Sequence, residues 1–263
     1  MGISATVLAH NEAHRIAGCL DSIRWVDEIV VVVDSQTTDA TAEVARRYTD
    51  RVLSRPLQSF SDQHRWADEQ CAGEWILSVD CDEIVTEALR EEIRRELAAP
   101  RCDAYRIPHL DYMFGKWIRH GGWYPQYHTR LYRRGSSQWQ NDVHERVQVR
   151  GTIGRLRQPL LHFSHARVED WINKMARYTS VEARNLYDAG QRTNLLRLLF
   201  EPPLYFGYKW IVKQGFRDGM HVFVLATLMG CYRLLRNLKL WDLQQSARGP
   251  RESKECPPSM SRS

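Results

Sequence analysis

No uncharged apolar stretch in this chain is longer than the 14 residues from Gly219 to Tyr232. About 20 are needed to cross a bilayer, so no transmembrane helix is expected. No basic-then-apolar leader precedes the first strand-like run at Ile3, so no signal peptide is expected either. The six cysteines (Cys19, Cys71, Cys81, Cys102, Cys231 and Cys256) show no paired spacing. That argues against a zinc knuckle or a disulfide framework and suits free thiols in a reducing cytoplasm. Glycine is absent from Ala9 to Ile16, where a nucleotidyltransferase-like pyrophosphate loop would need it. No recognised nucleic-acid-binding signature accompanies the net charge of +5, so nucleic acid is not an expected partner.

What is present is a series of apolar runs that end in polar residues. Ile3 to Leu8 reads as a first strand and closes in His10-Asn11-Glu12. Glu28-Ile29-Val30-Val31-Val32-Val33 is an unbroken β-branched run, as expected of a strand buried on both faces of a parallel sheet. It ends at Asp34-Ser35, and Thr37-Thr38-Asp39 offers a helix start. A third strand is expected at Arg51 to Ser54, with helices over Ala13–Ile23, Asp62–Ala72 and Thr86–Leu97. Trp75-Ile76-Leu77-Ser78-Val79 then runs into Asp80-Cys81-Asp82-Glu83. Alternating strands and helices imply an α/β fold, a doubly wound, mainly parallel sheet of Rossmann-like type. Ligands of such sheets bind beyond the carboxyl ends of the strands. Asp80 and Asp82 would meet there, and their hard oxygens suit Mg²⁺ or Mn²⁺.

The segments Leu8–Glu12, Val31–Asp39 and Leu77–Glu83 together resemble the family 2 glycosyltransferases, whose fold is called GT-A. Trp117-Ile118-Arg119-His120-Gly121-Gly122-Trp123-Tyr124-Pro125 and Val143-His144-Glu145-Arg146-Val147 resemble the branch that adds hexoses to the lipopolysaccharide core. The resemblance implies an inverting hexosyltransferase that uses a nucleotide sugar, UDP-glucose foremost, and a lipid-linked saccharide acceptor. It places Asn11, Glu12, Asp34, Ser35, Arg65 and Asp80 at the donor, and Asp82, Asp80 and His162 at the metal. Glu145 is then the candidate base, with Asp142 as runner-up, and Trp123, Tyr124 and Arg119 face the acceptor. Gln36 and Cys81 stand where the family has Gly and a small residue, and a side chain at Gln36 raises the cost of a positive φ. His64 and Arg65 stand where the family has a cation and an Asn, so Arg65 takes the cationic role one position along.

Asp103 to Pro108 and Tyr127 to Arg133 are expected to extend the sheet, and the aromatic insert Tyr112 to Pro125 to form a sugar platform. The implied division is a GT-A catalytic domain over 1–165, with a nucleotide-sugar half to about 100 and an acceptor half from 101. A helical region over 166–242 and a disordered tail over 243–263 follow. The charge is uneven. From Arg192 to Lys239 eight Lys or Arg stand against Glu201 and Asp218. Arg233, Arg236 and Lys239 share one helical face, opposite Leu234, Leu235, Leu238 and Trp241. That pattern is expected to lay a basic surface, helped by Lys209, Lys213 and Arg217, on the inner leaflet of the cytoplasmic membrane. Two other classes remain open at this point, a nucleotidyltransferase of the same fold class and a non-catalytic membrane-binding module.

Overall fold

The computed structural model describes residues 2–140, 146–165 and 167–247. The chain divides into two compact units, Met1–Arg119 with Trp123–Ala166, and His120–Gly122 with Arg167–Ser263.

The first unit is built on one mixed sheet. In chain order it contains β1 (Ile3–Ala9), α1 (Ile16–Ser22), β2 (Glu28–Asp34), α2 (Thr41–Ala45), β3 (Val52–Arg55), α3 (Phe60–Gln70) and β4 (Trp75–Asp80). Then come β5 (Glu83–Val85), α4 (Glu87–Ala98), β6 (Ala104–Met113), β7 (Lys116–Trp117) and β8 (Gln126–Arg133). Last are β9 (Ser137–Gln140), β10 (Arg146–Val149), β11 (Ile153–Arg155) and β12 (Leu160–His165). The sheet order is β3-β2-β1-β4-β8-β6-β12-β5, with β7 and β11 also paired to β6, while β9 and β10 form a separate antiparallel pair. The first four strands are mutually parallel, so their polar carboxyl ends share one edge. β8 enters antiparallel beside β4, and β6 and β12 continue the sheet.

The alternation inside β2 explains its unbroken run of branched residues. Val31 and Val33 pack with Ile16, Leu20, Leu89 and Ile93 on one side of the sheet. Val30 and Val32 pack with Ala67, Ile76 and Tyr132 on the other. Both faces are covered by helices, so neither parity of side chain is spared burial.

The elements differ from expectation mainly at their ends. Residues 13–15 form a turn, and α1 begins only at Ile16. None of Thr37, Thr38 or Asp39 caps α2, whose N-cap is Ala40. The Asp39 carboxylate accepts instead from the backbone N–H groups of Thr41 and Ala13, both at 3.0 Å, and ties two loops together. Ser59 and Thr86 do cap α3 and α4. β6 runs on through Pro108 to Met113. The left-handed backbone falls at Asn11 (φ 56°), not at Gln36. Asn tolerates that region because its short amide bonds locally.

The second unit is helical, with α5 (Val168–Asp188), α6 (Leu195–Gly207), a π turn (Tyr208–Val212), a 3₁₀ turn (Gly215–Asp218) and α7 (Met220–Ser246). No helix among the described residues is long and apolar enough to cross a membrane. The expected orientation of α7 is corrected. Arg236 is buried and bonds Glu182 of α5 and Glu201 of α6. Lys239 donates to the Ala176 carbonyl and to Thr179 and Ser180, and Arg233 lies 3.7 Å from Glu201 and over the Tyr205 ring. The basic face points inward because neighbouring helices supply its acceptors, while Leu234, Leu238 and Trp241 remain exposed. The tail from 248 onward lies outside the described residues.

Candidate active site

Each parallel strand delivers one part of the site at the sheet's carboxyl edge. At the end of β1, the Asn11 side-chain oxygen accepts from the Thr38 N–H at 2.9 Å. The Glu12 N–H donates to Thr41 Oγ1 at 2.7 Å, and its carboxylate pairs with Arg15. At the end of β2, the buried Asp34 carboxylate accepts from the N–H groups of Gln36 (3.1 Å) and Leu57 (3.3 Å), and lies 3.1 Å from His10 Nδ1. Asp34, Ser35, Thr37, Asp39 and Ser54 line a cleft of about 150 Å³.

At the end of β4 the carboxylates separate. Asp80 is held by Arg130 of β8, and the same guanidinium reaches Glu83 at 2.5 Å. Burial opposes ionisation of Asp80, but the Arg130 charge outweighs it and holds the carboxyl at about 2. Glu83 is fully buried, and burial pushes its carboxyl up to about 8 despite the same Arg130. Its Oε2 accepts from the Asp80 N–H at 2.9 Å, which closes the turn between β4 and β5. Asp82 faces the other way. Its Oδ2 lies 3.6 Å from Arg15 Nη1 and 3.6 Å from His162 Nε2 of β12. His162 Nδ1 is 2.7 Å from Asp111 of β6. Burial disfavours a charged imidazole here, but Asp111 and Asp82 prevail and raise His162 to about 10.

This donor set fits a divalent cation. Adjacent octahedral ligand atoms about 2.1 Å from one ion lie roughly 3.0 Å apart, so Asp82 and His162, at 3.6 Å, would need to close by only about half an ångström to share one. The Asp111 contact fixes Nδ1 and leaves Nε2 directed at Asp82, the arrangement by which an outer carboxylate orients a metal-bound imidazole. His109, Asp111 and His162 also cluster, with ligand atoms within 4.8 Å of one another. Among the described residues the buried Nε2 of His109 has no hydrogen-bond partner, and it sits 3.5 Å from Glu83. Burial, then the nearby Arg130, hold His109 well below the usual imidazole range.

The expected residues are thus only partly brought together. Asp82 and His162 converge, Asp80 is taken by Arg130, and Asn11, Glu12 and Asp34 line the first two strand ends. Arg65 is exposed on α3, 3.9 Å from Asp62, with no ion pair among the described residues to Asp34 or Asp80. His64 is buried and stacks on Trp139 with ring centroids 3.8 Å apart, and burial lowers it to about 4. In the aromatic insert, the Arg119 guanidinium lies 3.9 Å over the Trp117 ring, whose plane meets Tyr124 edge-on at 5.7 Å. Glu145 and Asp142 lie outside the described residues.

Sequence reading missed Arg130, Asp111, His109 and Arg15. For the three strand residues the signal was a polar residue at every second position, His128 and Arg130 in β8 and His109 and Asp111 in β6, whereas Arg15 lies in the turn before α1 and had no such pattern. Such alternation puts a polar stripe on one face of a sheet that is otherwise apolar.

The sequence pattern of the family described as "Glycosyl transferase family 2" matches residues 4–150, which include the ends of β1, β2 and β4 but stop short of His162. The chain belongs to the family 2 glycosyltransferases. This glycosyltransferase is 29% identical to a lipopolysaccharide core biosynthesis glycosyltransferase, LpsC, of Rhizobium meliloti (strain 1021), over 91% of its own length and 92% of the relative's. It is 28% identical to an uncharacterised glycosyltransferase of Rickettsia felis, over 90% and 89% of the two chains. Among solved structures, S. aureus TarS 1-349 in complex with UDP aligns with a TM-score of 0.48 at 14% identity, over 94% of this chain and 91% of that one.

Proposed function

We propose that this glycosyltransferase moves a hexose from a nucleoside diphosphate sugar, UDP-glucose foremost, to a lipid-linked saccharide such as the lipopolysaccharide core. The transfer inverts the anomeric centre and takes place at the inner face of the cytoplasmic membrane. The observation that carries the reading is the 3.6 Å approach of Asp82 and His162 beside Arg15, at the carboxyl edge where Asp34 also ends. The relative named for lipopolysaccharide core biosynthesis, aligned over nearly its full length, supports the acceptor class.

Asp34 with Ser35 and Asn11 with Glu12 hold the nucleoside end of the donor, and Asp80, kept ionised by Arg130, orients the sugar. Asp82 and His162 would hold Mg²⁺ or Mn²⁺, which supplies positive charge to the departing diphosphate. Arg15, already beside Asp82, adds a fixed cation to the same side. Arg119, Trp123 and Tyr124 receive the acceptor, whose sugar faces stack on aromatic rings. Glu145, or else Asp142, takes the proton from the acceptor hydroxyl as the anomeric carbon is attacked.

A thermal-shift screen of UDP, GDP, ADP and CMP sugars with and without Mn²⁺ tests the donor half. UDP-glucose with Mn²⁺ is expected to raise the midpoint, since ligand at a hundred times its Kd stabilises by about 2.7 kcal/mol. Asp82→Asn is expected to remove the Mn²⁺-dependent part and to slow transfer to a core acceptor by about two orders of magnitude or more. A Mn²⁺-independent shift, or full transfer in EDTA, would reject the metal role.

A further inference from the structure

α6 reads Leu-Leu-Arg-Leu-Leu-Phe-Glu-Pro-Pro-Leu-Tyr-Phe-Gly, and not one of its residues is buried. Leu195, Leu199 and Leu204 keep 68%, 57% and 69% of their surface exposed. The π turn that follows likewise buries nothing, with Ile211 at 66% and Val212 at 65%. Phe216 and Met220 extend the same character into the start of α7. A soluble helix of this composition normally turns its leucines to a core. Exposed apolar surface gathered in one chain segment marks an interaction face.

The charges in this segment point to the occupant. Its two acids face inward: Glu201 binds Arg236 and Asn237, and the buried Asp218 accepts from the His120 N–H. Arg197, Lys213 and Arg217 are exposed, and Lys209 lies over Tyr205 and Lys213 over Tyr208. Leucines flanked by cations and by Tyr and Trp, with no outward acid, match the boundary of an anionic bilayer, where aromatic side chains settle at headgroup depth. A second copy of the same surface would bring like charges together. Leu196, Arg197, Phe200, Leu204 and Tyr208 also line an open groove of about 550 Å³, whose lining includes Glu201 as well.

We infer that α6 and the turn Tyr208–Val212 form a membrane-docking element that seats its leucines and Ile211–Val212 in the acyl boundary of anionic lipid, with Arg197, Lys213 and Arg217 at the headgroups. This deepens the proposed inner-leaflet setting and relocates it. The basic face of α7 is internal, so docking is carried by apolar insertion with a cationic rim.

The full chain is mixed with vesicles of phosphatidylcholine alone and of phosphatidylcholine with phosphatidylglycerol, and bound protein is measured by co-sedimentation. The wild type is expected on the mixed vesicles. Changing Leu195, Leu199, Leu204 and Ile211 together to Gln is expected to lower its partition coefficient about tenfold or more. Lys213→Gln with Arg217→Gln is expected to reduce binding chiefly to the anionic vesicles. All six positions are exposed, and unchanged circular dichroism and nucleotide-dependent thermal shift would show that the fold survives. Wild type that ignores anionic vesicles at low salt overturns the inference. So does a leucine variant that binds as before, or a wild-type dimer that the variant turns into a monomer without vesicle binding. Vesicle binding without any nucleotide-sugar shift upholds the docking element and rejects the transfer reading, and the reverse pattern does the opposite.

Discussion

Arg130 is the residue on which the carboxylate edge turns. Its guanidinium, 12% exposed, serves Asp80 and the fully buried Glu83 at once. Two carboxylates so near each other do not both ionise readily, and Glu83, pushed up to about 8, keeps its proton while Asp80 gives its own up. Arg130→Met leaves Asp80 without its cation and the buried Glu83 carboxyl without its donor, and is expected to lower stability by about 1–3 kcal/mol, the usual cost of an unpaired buried polar group. Adding Glu83→Gln is expected to recover part of that loss, because the second change takes away the carboxyl that competes with Asp80 for a proton. Urea unfolding of both single variants and the double variant measures the coupling, and additive losses would mean that the two residues act independently. The strand ends at Asp34, Asp80 and Asp82 were legible because an apolar run that stops at a carboxylate is a local pattern. Arg130 was not, since its partners lie 50 and 47 residues away, and no local periodicity reports which strands become neighbours.

At the scale of elements, β2 and α7 make opposite cases. The run Ile29 to Val33 contains its own explanation, because only a strand covered on both faces keeps branched apolar residues at both parities. The helix α7 presents two faces, one with Arg233, Arg236 and Lys239 and one with leucines and Trp241. Taken alone, the charged face belongs outside. What reverses it is Glu182 and Glu201, contributed by two other helices, which supply the ion pairs that a buried guanidinium requires. Arg236→Gln is therefore expected to cost about 3 kcal/mol or more, while Arg197→Gln on exposed α6 stays within about 0.5 kcal/mol. Equal losses for the two, measured by thermal or urea unfolding, would contradict the inward orientation. The same pairing explains why neutralising all the basic residues of this region would damage the helical unit itself and could not serve as a test of lipid binding.

At the scale of the molecule, the division into two compact units has a thermodynamic signature. Each unit holds its own ion pair on a largely buried arginine, Arg130 with Asp80 in one and Arg236 with Glu201 in the other. Separate cores are expected to unfold in separate transitions, so that a single two-state analysis fails for the full chain. Arg130→Met is expected to shift one transition and Arg236→Gln the other. UDP-glucose with Mn²⁺ is expected to move only the transition that Arg130→Met lowers, because ligand stabilises the unit that binds it. Coincident transitions by near- and far-ultraviolet circular dichroism, shifted equally by both variants, would show one cooperative body instead.

The order of the sheet also bears on how the protein is made. β1 sits between β2 and β4, β4 needs β8, and the far edge strand β5 pairs with β12, which ends at His165. The run Val30 to Val33 leaves the ribosome long before the strands that complete its sheet. At roughly 5–20 residues per second, the delay is on the order of ten seconds. Val30 to Val33 meets its own neighbours early, since β1 precedes it and β3 follows within about twenty residues, but for part of that interval the apolar strand β4 keeps one edge unpaired until β8 emerges. The nascent chain is therefore expected to depend on a holding chaperone until the last strand emerges, and its yield to depend on translation speed more than on final stability.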